Sequence, residues 1–436
     1  MADIRPFRGV YYNQRLIKDF AAVICPPYDI IAPQMKQELY HQSEYNFIRL
    51  ESSRELPQDT SSDNKYTRSA TTLEQWLEQG ILEVDEVPAI YLHDHHFKYQ
   101  GTEYRRRGII ACVRLEEWDK MVICPHEGTL AEPRHDRLSL LWALQANTSP
   151  ILALFESGQQ VSPLLMAQER SKPMISLSTA GGERHRIWAI TEPEVVNQIC
   201  KSLAHQPLYI ADGHHRYESA LIYQREKHAY YSSVSGDEAF NFVMMTLIDF
   251  SDPGLVILPP HRLVRGVSKS ALSRLMTGLK SFFEIEELPL NTSGIWQQVD
   301  DLLGGEANQV GLILFGLGLK NLFILRVRDP IAISRMMPYF HCELYKGLAV
   351  SIVDHVILEK LLGLDTGEEA AKLAYSYDKQ DAINRVLDQE YQLAFLVSSV
   401  KAEAVKAVAD AGDRMPRKST YFYPKPPAGL VFHRLV

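Results

Sequence analysis

Mixed α/β layers, with sheets flanked by helices, are what this sequence predicts, and three observations predict them. From about residue 245 onward, short apolar runs alternate steadily with stretches of helical spacing. Four apolar runs each end in a proline or an Asp-Gly turn followed at once by ionisable side chains. At Pro207-Leu208-Tyr209-Ile210-Ala211 a strand pattern runs through Asp212-Gly213 straight into a helix pattern. Such alternation favours an α/β arrangement over a β-sandwich or a helical bundle.

Composition bounds the rest. A chain of 436 residues predicts two or three domains, and the change of pattern predicts a division into 1–245 and 246–436. With 46% hydrophobic and 23% charged residues, the chain is far too apolar to be disordered. Lys+Arg 46 against Asp+Glu 54 leaves −8, which argues against an extended nucleic acid as partner. The segment MADIRPFRGV lacks an apolar signal core, and Gly311–Val327 is broken by Lys320, Asn321 and Arg326. Neither a secretory signal nor a membrane span is expected. Five scattered cysteines without a CxxC pair fit a reducing cytoplasm, and a homo-oligomer is allowed.

Helical spacing predicts helices around Gln34–Tyr40 and over Lys65–Gln79, with Gly80 as terminator. Val87–Phe97 and Arg107–Leu115 read as a hairpin around Lys98–Glu103. Asp136 is placed to cap a helix reaching about Ala146. A polar stretch past Ser157 leads to a strand at Ile187–Ile190, a helix near Glu194–Leu203, and the strand Pro207–Ala211. Further strands are expected at Asn241–Asp249, Gly311–Phe315, Leu322–Val327 and Gln392–Val397. Between them lie helices at Lys269–Phe282, Ser293–Leu303, Ala349–Leu362 and Ala402–Ala411.

The four strand-end phrases are Val23-Ile24-Cys25-Pro26-Pro27-Tyr28-Asp29, Val122-Ile123-Cys124-Pro125-His126-Glu127, Val256-Ile257-Leu258-Pro259-Pro260-His261-Arg262 and Tyr209-Ile210-Ala211-Asp212-Gly213. Proline cannot continue a central strand, so each phrase predicts a chain leaving a sheet. Ligands commonly bind outside strand ends, and at least two phrases are expected to share a cleft.

Asp212-Gly213-His214-His215-Arg216 carries the strongest signal. A strand, a glycine turn and a helix start present backbone N–H groups and the positive dipole end to an anion. Arg216 adds a planar fork suited to phosphate oxygens. Two other readings stay open: a structural turn held by an Arg–carboxylate pair, and a histidine-based transition-metal site.

Pro26-Pro27-Tyr28-Asp29, Pro125-His126-Glu127-Gly128-Thr129, Asp136-Arg137-Leu138, Ser149-Pro150-Ile151, Ala211 to Glu218, Leu258 to Arg262 and Met415 to Lys425 together resemble the bacterial and archaeal family known as domain of unknown function 1015. That resemblance spans essentially the whole chain and implies no activity. Gly213-His214-His215-Arg216 is also similar to the phosphate-cradling box of the ParB–sulfiredoxin fold, which includes free serine kinases and CTP-binding partition proteins. The resemblance implies a nucleotide ligand, ATP or ADP with Mg²⁺. It departs from that fold in the long segment between Asp29 and Asp212, and in lacking a cysteine placed like sulfiredoxin's.

Other clusters carry less. Asp413 to Lys425 holds Arg414, Arg417, Lys418 and Lys425 against one acid; Lys418, Ser419 and Thr420 could serve phosphates while Tyr421, Phe422 and Tyr423 stack on a base or simply pack as a strap. His93-Asp94-His95-His96 reads as an exposed hairpin edge and Arg105-Arg106-Arg107 as a solvated strand start. Gly316-Leu317-Gly318 lacks the rest of a dinucleotide fingerprint.

The leading expectation is a nucleotide- or phosphate-binding enzyme, a kinase acting on a small hydroxyl compound such as free serine or, as a close variant, a nucleotide hydrolase. In that scheme Gly213, His215 and Arg216, with Lys418, Ser419 and Thr420, bind the nucleotide. Asp212 holds Mg²⁺, while His214, Glu127 and Asp29 complete the catalytic set, Glu127 or Asp29 accepting the hydroxyl proton. The alternatives are a non-catalytic nucleotide sensor and a metal-dependent hydrolase using His126, Glu127, His214 and His261.

Overall fold

A computed structural model describes residues 2–156, 161–231, 235–304, 311–364 and 372–436. The fold is mixed α/β, as the alternation predicts. Met1–Pro125, Thr129–Val256 and Pro424–Val436 form one compact unit; His126–Gly128 and Ile257–Tyr423 form the other. The polar stretch expected past Ser157 begins outside the described residues.

The first unit is built on a nine-stranded sheet of β1 (Ile4–Arg5), β2 (Ile90–Tyr99), β3 (Thr102–Arg114), β4 (Ile123–Cys124), β5 (Ile151–Phe155), β6 (Ile175–Ser178), β7 (Arg184–Ile190), β8 (Leu208–Asp212) and β9 (Phe242–Asp249). Its order is β4-β8-β5-β9-β3-β2-β7-β6, with β1 added to β3. Only β4–β8 and β5–β9 are parallel pairs. One face packs on a small four-stranded sheet through Val10, Tyr12, Leu82 and Phe432. The other carries α2 (His214–Tyr230) through Tyr217, Ala220 and Leu221. Helix α1 (Ala131–Leu144) divides its apolar residues, placing Leu140 and Leu144 in the first core and Leu141 in the second.

Four expectations are corrected here. Asp136 lies inside α1 rather than capping it, because its carboxylate is taken by Lys65, Tyr66 and Arg137. The His93–His96 stretch is no exposed edge: β2 pairs with β3 on one side and β7 on the other, and His93, Asp94 and His95 are buried. The solvated arginine start fails for the same reason, since Arg106 is buried while Arg105 and Arg107 both pair with Asp94. Finally, Val23–Cys25 is not a strand; Phe20–Ala22 forms a 3₁₀ turn and Cys25 makes an isolated bridge to Ala428.

In the second unit β10 (His261–Val264), β11 (Phe283–Pro289), β12 (Leu312–Phe315), β13 (Asn321–Val327), β14 (Leu373–Ser376) and β15 (Leu393–Val397) form a sheet ordered β11-β13-β12-β15-β10-β14, all antiparallel. Alternate residues feed opposite cores: Leu312 and Leu314 meet Leu275 and Leu279 of one helix, whereas Ile313 and Phe315 meet Ile383 and Val386 of another. Val256–Leu258 is a strand that ends at Pro259-Pro260, as that phrase predicts, and His261 and Arg262 begin the next strand, β10. The helix expected over Ala349–Leu362 is a short α turn continued as π-helix over Ile352–Leu361.

Gly316 explains itself as a packing residue. Its φ is +114°, and a Cβ there would stand 2.1 Å from the Gln392 carbonyl oxygen. Gly316→Ala should therefore destabilise the chain by roughly 1–3 kcal/mol, read as a lower urea midpoint. An unchanged midpoint would show that the β12–β13 turn relaxes freely.

Candidate functional site

Strand β8 ends at Asp212, and Gly213, at φ +97°, turns the chain into the 17-residue helix α2. The left-handed backbone suits glycine, and a second constraint acts with it. A Cβ on Gly213 would sit 3.1 Å from three atoms of the Arg216 guanidinium, which folds back over the turn.

Arg216 Nη2 pairs with Asp212 Oδ2 at 2.6 Å, and Nη1 donates to Pro150 O at 2.6 Å and Ser149 Oγ at 3.1 Å. Its Nε is buried with no hydrogen-bond partner. The other Asp212 oxygen lies 2.6 Å from Lys425 Nζ, and the same ammonium pairs with Asp29. Residues from two of the four phrases thus meet on one lysine. Burial alone would raise the Asp212 carboxyl, but Lys425 and Arg216 outweigh it and hold the group well below the usual carboxylate range. For Lys425 burial acts downward, and Asp212 and Asp29 reverse it, so the ammonium stays charged although only 6% of its side chain is exposed.

A second layer supports the turn. Ser149 Oγ donates to Glu51 Oε1 at 3.0 Å, and the fully buried Glu51 lies 3.6 Å from Arg137. The Arg137 guanidinium covers the Tyr28 ring at 4.1 Å. Burial pushes the Tyr28 hydroxyl up to about 12. A cavity of about 40 Å³, room for one water, lies among Arg137, Asn147, Thr148, Ser149, Arg216 and Ser219. The start of α2 is pinned from outside: His215 Nε2 accepts from Leu130 N at 2.9 Å, and Glu218 takes Thr129 and Arg134.

Asp136 sets an acid limit on this region. Burial raises its carboxyl, yet Arg137 and Lys65 bring it down to about 2. A carboxyl depressed in the folded state stabilises above its unfolded pKa, near 4, and that stabilisation is lost as pH falls through about 2. After solvent screening the contribution is about 1–2 kcal/mol. Chemical unfolding of wild type and Asp136→Asn should differ by that amount at pH 7 and converge by pH 2; a constant gap would refute the assignment.

The sequence-predicted residues fall into two groups. Asp29, Asp212, Gly213, His214, His215 and Arg216 belong to the first unit, where Asp29 and Asp212 share Lys425. Glu127, Lys418, Ser419 and Thr420 belong to the second. There Glu127 Oε1 accepts from Ser419 N at 3.0 Å and from Thr420 N and Oγ1, both at 3.3 Å. Ser419 is buried and its hydroxyl donates to Pro416 O at 2.5 Å; Lys418 is exposed at φ +57°. Tyr421 stacks on Tyr377 at 4.0 Å and Phe422 is buried, so the tail packs as a strap.

Two of the three histidines of the hydrolase reading, His126 and His261, are engaged in the fold. His126 Nε2 lies 2.9 Å from Thr420 Oγ1, and His261 Nδ1 accepts from Val397 N at 3.2 Å. Sequence reasoning missed Lys425, Ser149, Glu51 and Arg137 as partners of the turn. Lys425 stood in the count of basic residues and at the end of the Met415–Lys425 family segment, and nothing local to the sequence tied it to Asp212.

The family model described as "Protein of unknown function (DUF1015)" matches residues 4–340. No curated protein matches the chain. Among solved structures, a free serine kinase in complex with AMP is 13% identical at TM-score 0.37, covering 72% of this chain and 86% of that one. A conserved hypothetical protein from Pyrococcus furiosus is 14% identical at TM-score 0.35, covering 74% and 93%. SbnI with a C-terminal truncation, from Staphylococcus aureus, is 10% identical at TM-score 0.35, covering 73% and 84%. Similarity of this size carries no functional inference.

Proposed function

We propose, from the premise that this chain belongs to the DUF1015 family, that it is an enzyme binding a nucleotide phosphate at the Gly213–Arg216 turn. One observation carries the reading: a guanidinium folded over a glycine turn at the start of a long helix, with its buried Nε unpartnered. A phosphate oxygen would satisfy that Nε and meet the positive end of α2.

The reaction proposed is phosphoryl transfer from the nucleotide to a small hydroxyl compound. The bond from phosphorus to the leaving oxygen breaks, a bond to the acceptor oxygen forms, and the hydroxyl proton passes to a carboxylate. Asp29 suits that last role, because Glu127 Oε1 already accepts three hydrogen bonds. The Asp212 carboxylate is a hard oxygen donor of the kind Mg²⁺ takes and would hold the ion, leaving Asp29 for the proton. Bound Mg²⁺ would neutralise charge on the phosphates. Lys425, displaced from one carboxylate, supplies a second cation for the same purpose. Free serine as acceptor rests on the resemblance of the Gly213–Arg216 box alone.

Titration calorimetry of the full chain with ATP, ADP, CTP and GTP, each with Mg²⁺, tests the reading. Saturable binding of at least one nucleotide is expected, and absence of heat from all four at millimolar concentration would overturn it.

A further inference from the structure

We infer that His95, Glu183 and His185 form a binding site for one divalent first-row transition ion, zinc or ferrous iron. This site stands apart from the nucleotide reading and does not depend on it.

The antiparallel register of β2 and β7 sets His185 directly opposite His95. Both side chains therefore project from the same face of the sheet, and Glu183 precedes β7 beside them. Glu183 Oε2 lies 2.7 Å from His95 Nε2 and 3.7 Å from His185 Nε2, and all three ligand atoms lie within 4.8 Å of one another. Tetrahedral ligands at about 2.0–2.1 Å from zinc are spaced roughly 3.3 Å apart. The two measured separations straddle that value, so an ion needs only small side-chain shifts.

A second observation points to a ligand independently of the clustering. His185 is fully buried, yet its Nε2 has no hydrogen-bond partner, the Glu183 oxygen being too distant. An orphaned ring nitrogen in a dry interior costs free energy unless something occupies its lone pair. The other ring nitrogen is already placed as metal ligation demands: His185 Nδ1 lies 3.1 Å from His93 Nε2, so donation to His93 leaves Nε2 as the lone pair.

Arg106 is the opposing group. Its Nη2 lies 3.2 Å from His95 Nδ1 and 2.5 Å from Pro424 O. Ligation through His95 Nε2 puts that ring's proton on Nδ1, so Nη2 must turn wholly to Pro424, a bond already made. The Glu183 carboxylate offsets the guanidinium charge. Two histidines and one carboxylate leave coordination positions open for water, a set used by both zinc and ferrous iron.

Elemental analysis of the purified full chain, followed by zinc and anaerobic ferrous titrations of the chelator-stripped protein, tests the site. About one ion per chain is expected, with a metal-dependent rise in melting temperature. Either metal supports the site, and the titrations decide which. Glu183→Gln, whose side chain is 30% exposed, should fold and lose about 100-fold in affinity. His93→Ala, removing only the partner of His185, should lose about 10-fold. No ion in the isolated chain together with no binding by the stripped chain would overturn the inference. So would unchanged affinity in Glu183→Gln.

Discussion

Arg216→Ala is expected to lower affinity for a Mg²⁺-nucleotide by about 100-fold or more, since a charge-assisted hydrogen bond contributes roughly 1.5–3 kcal/mol and the fork would make more than one. The same change frees the Pro150 carbonyl and leaves Asp212 to Lys425 alone, so some loss of melting temperature accompanies it. Arg216→Lys separates the two effects. A lysine keeps a positive charge beside Asp212 but cannot present Nε and a terminal nitrogen together, so folding should recover while affinity stays about 10-fold weak. Calorimetry read beside circular dichroism checks both. An Arg216→Ala chain that folds and binds as wild type would place the phosphate elsewhere.

The largest stability effect is expected in the second unit. Arg262 is fully buried at the start of β10, bonded to Asp354 at 3.0 Å through both Nε and Nη2 and to Pro260 O at 2.6 Å. Tyr375 faces its guanidinium at 5.5 Å. Removing one partner leaves an uncompensated charge in a dry interior, so Arg262→Met should cost about 3–5 kcal/mol. Replacing both, Arg262→Met with Asp354→Leu, should return most of that loss, because two apolar side chains need no mutual compensation. Urea unfolding of the two variants measures the difference. Equal destabilisation would mean that packing, rather than the stranded charge, sets the cost.

Local words carried much of this fold into view. The β2–β3 hairpin, the β8–Gly213–α2 turn and the helix Lys269–Phe282 follow from period and punctuation, which depend on near neighbours alone. That some of the four phrases would meet was expected, but not that Asp29 and Asp212 would do so through Lys425. What stayed hidden depends on pairing across the chain. His95 and His185 become neighbours only through sheet register, and His-x-His on an isolated strand looks the same whether the strand is central or at an edge. Lys425 reaches Asp212 because Pro424–Val436 rejoins the first unit, a choice no short window encodes. The proline phrase marks the end of the strand Val256–Leu258, but that Arg262 then enters a new central strand is decided by its partners, β14 and β15.

The central claim, a nucleotide phosphate at the turn between β8 and α2, is tested most directly at the Gly213 amide. Protein labelled with ¹⁵N-glycine gives one backbone signal per glycine, and Gly213→Ala identifies the signal in question. Titration with Mg²⁺-ADP should shift the Gly213 resonance saturably, at the same concentration that calorimetry reports. Binding heat with the Gly213 resonance unmoved would contradict the account.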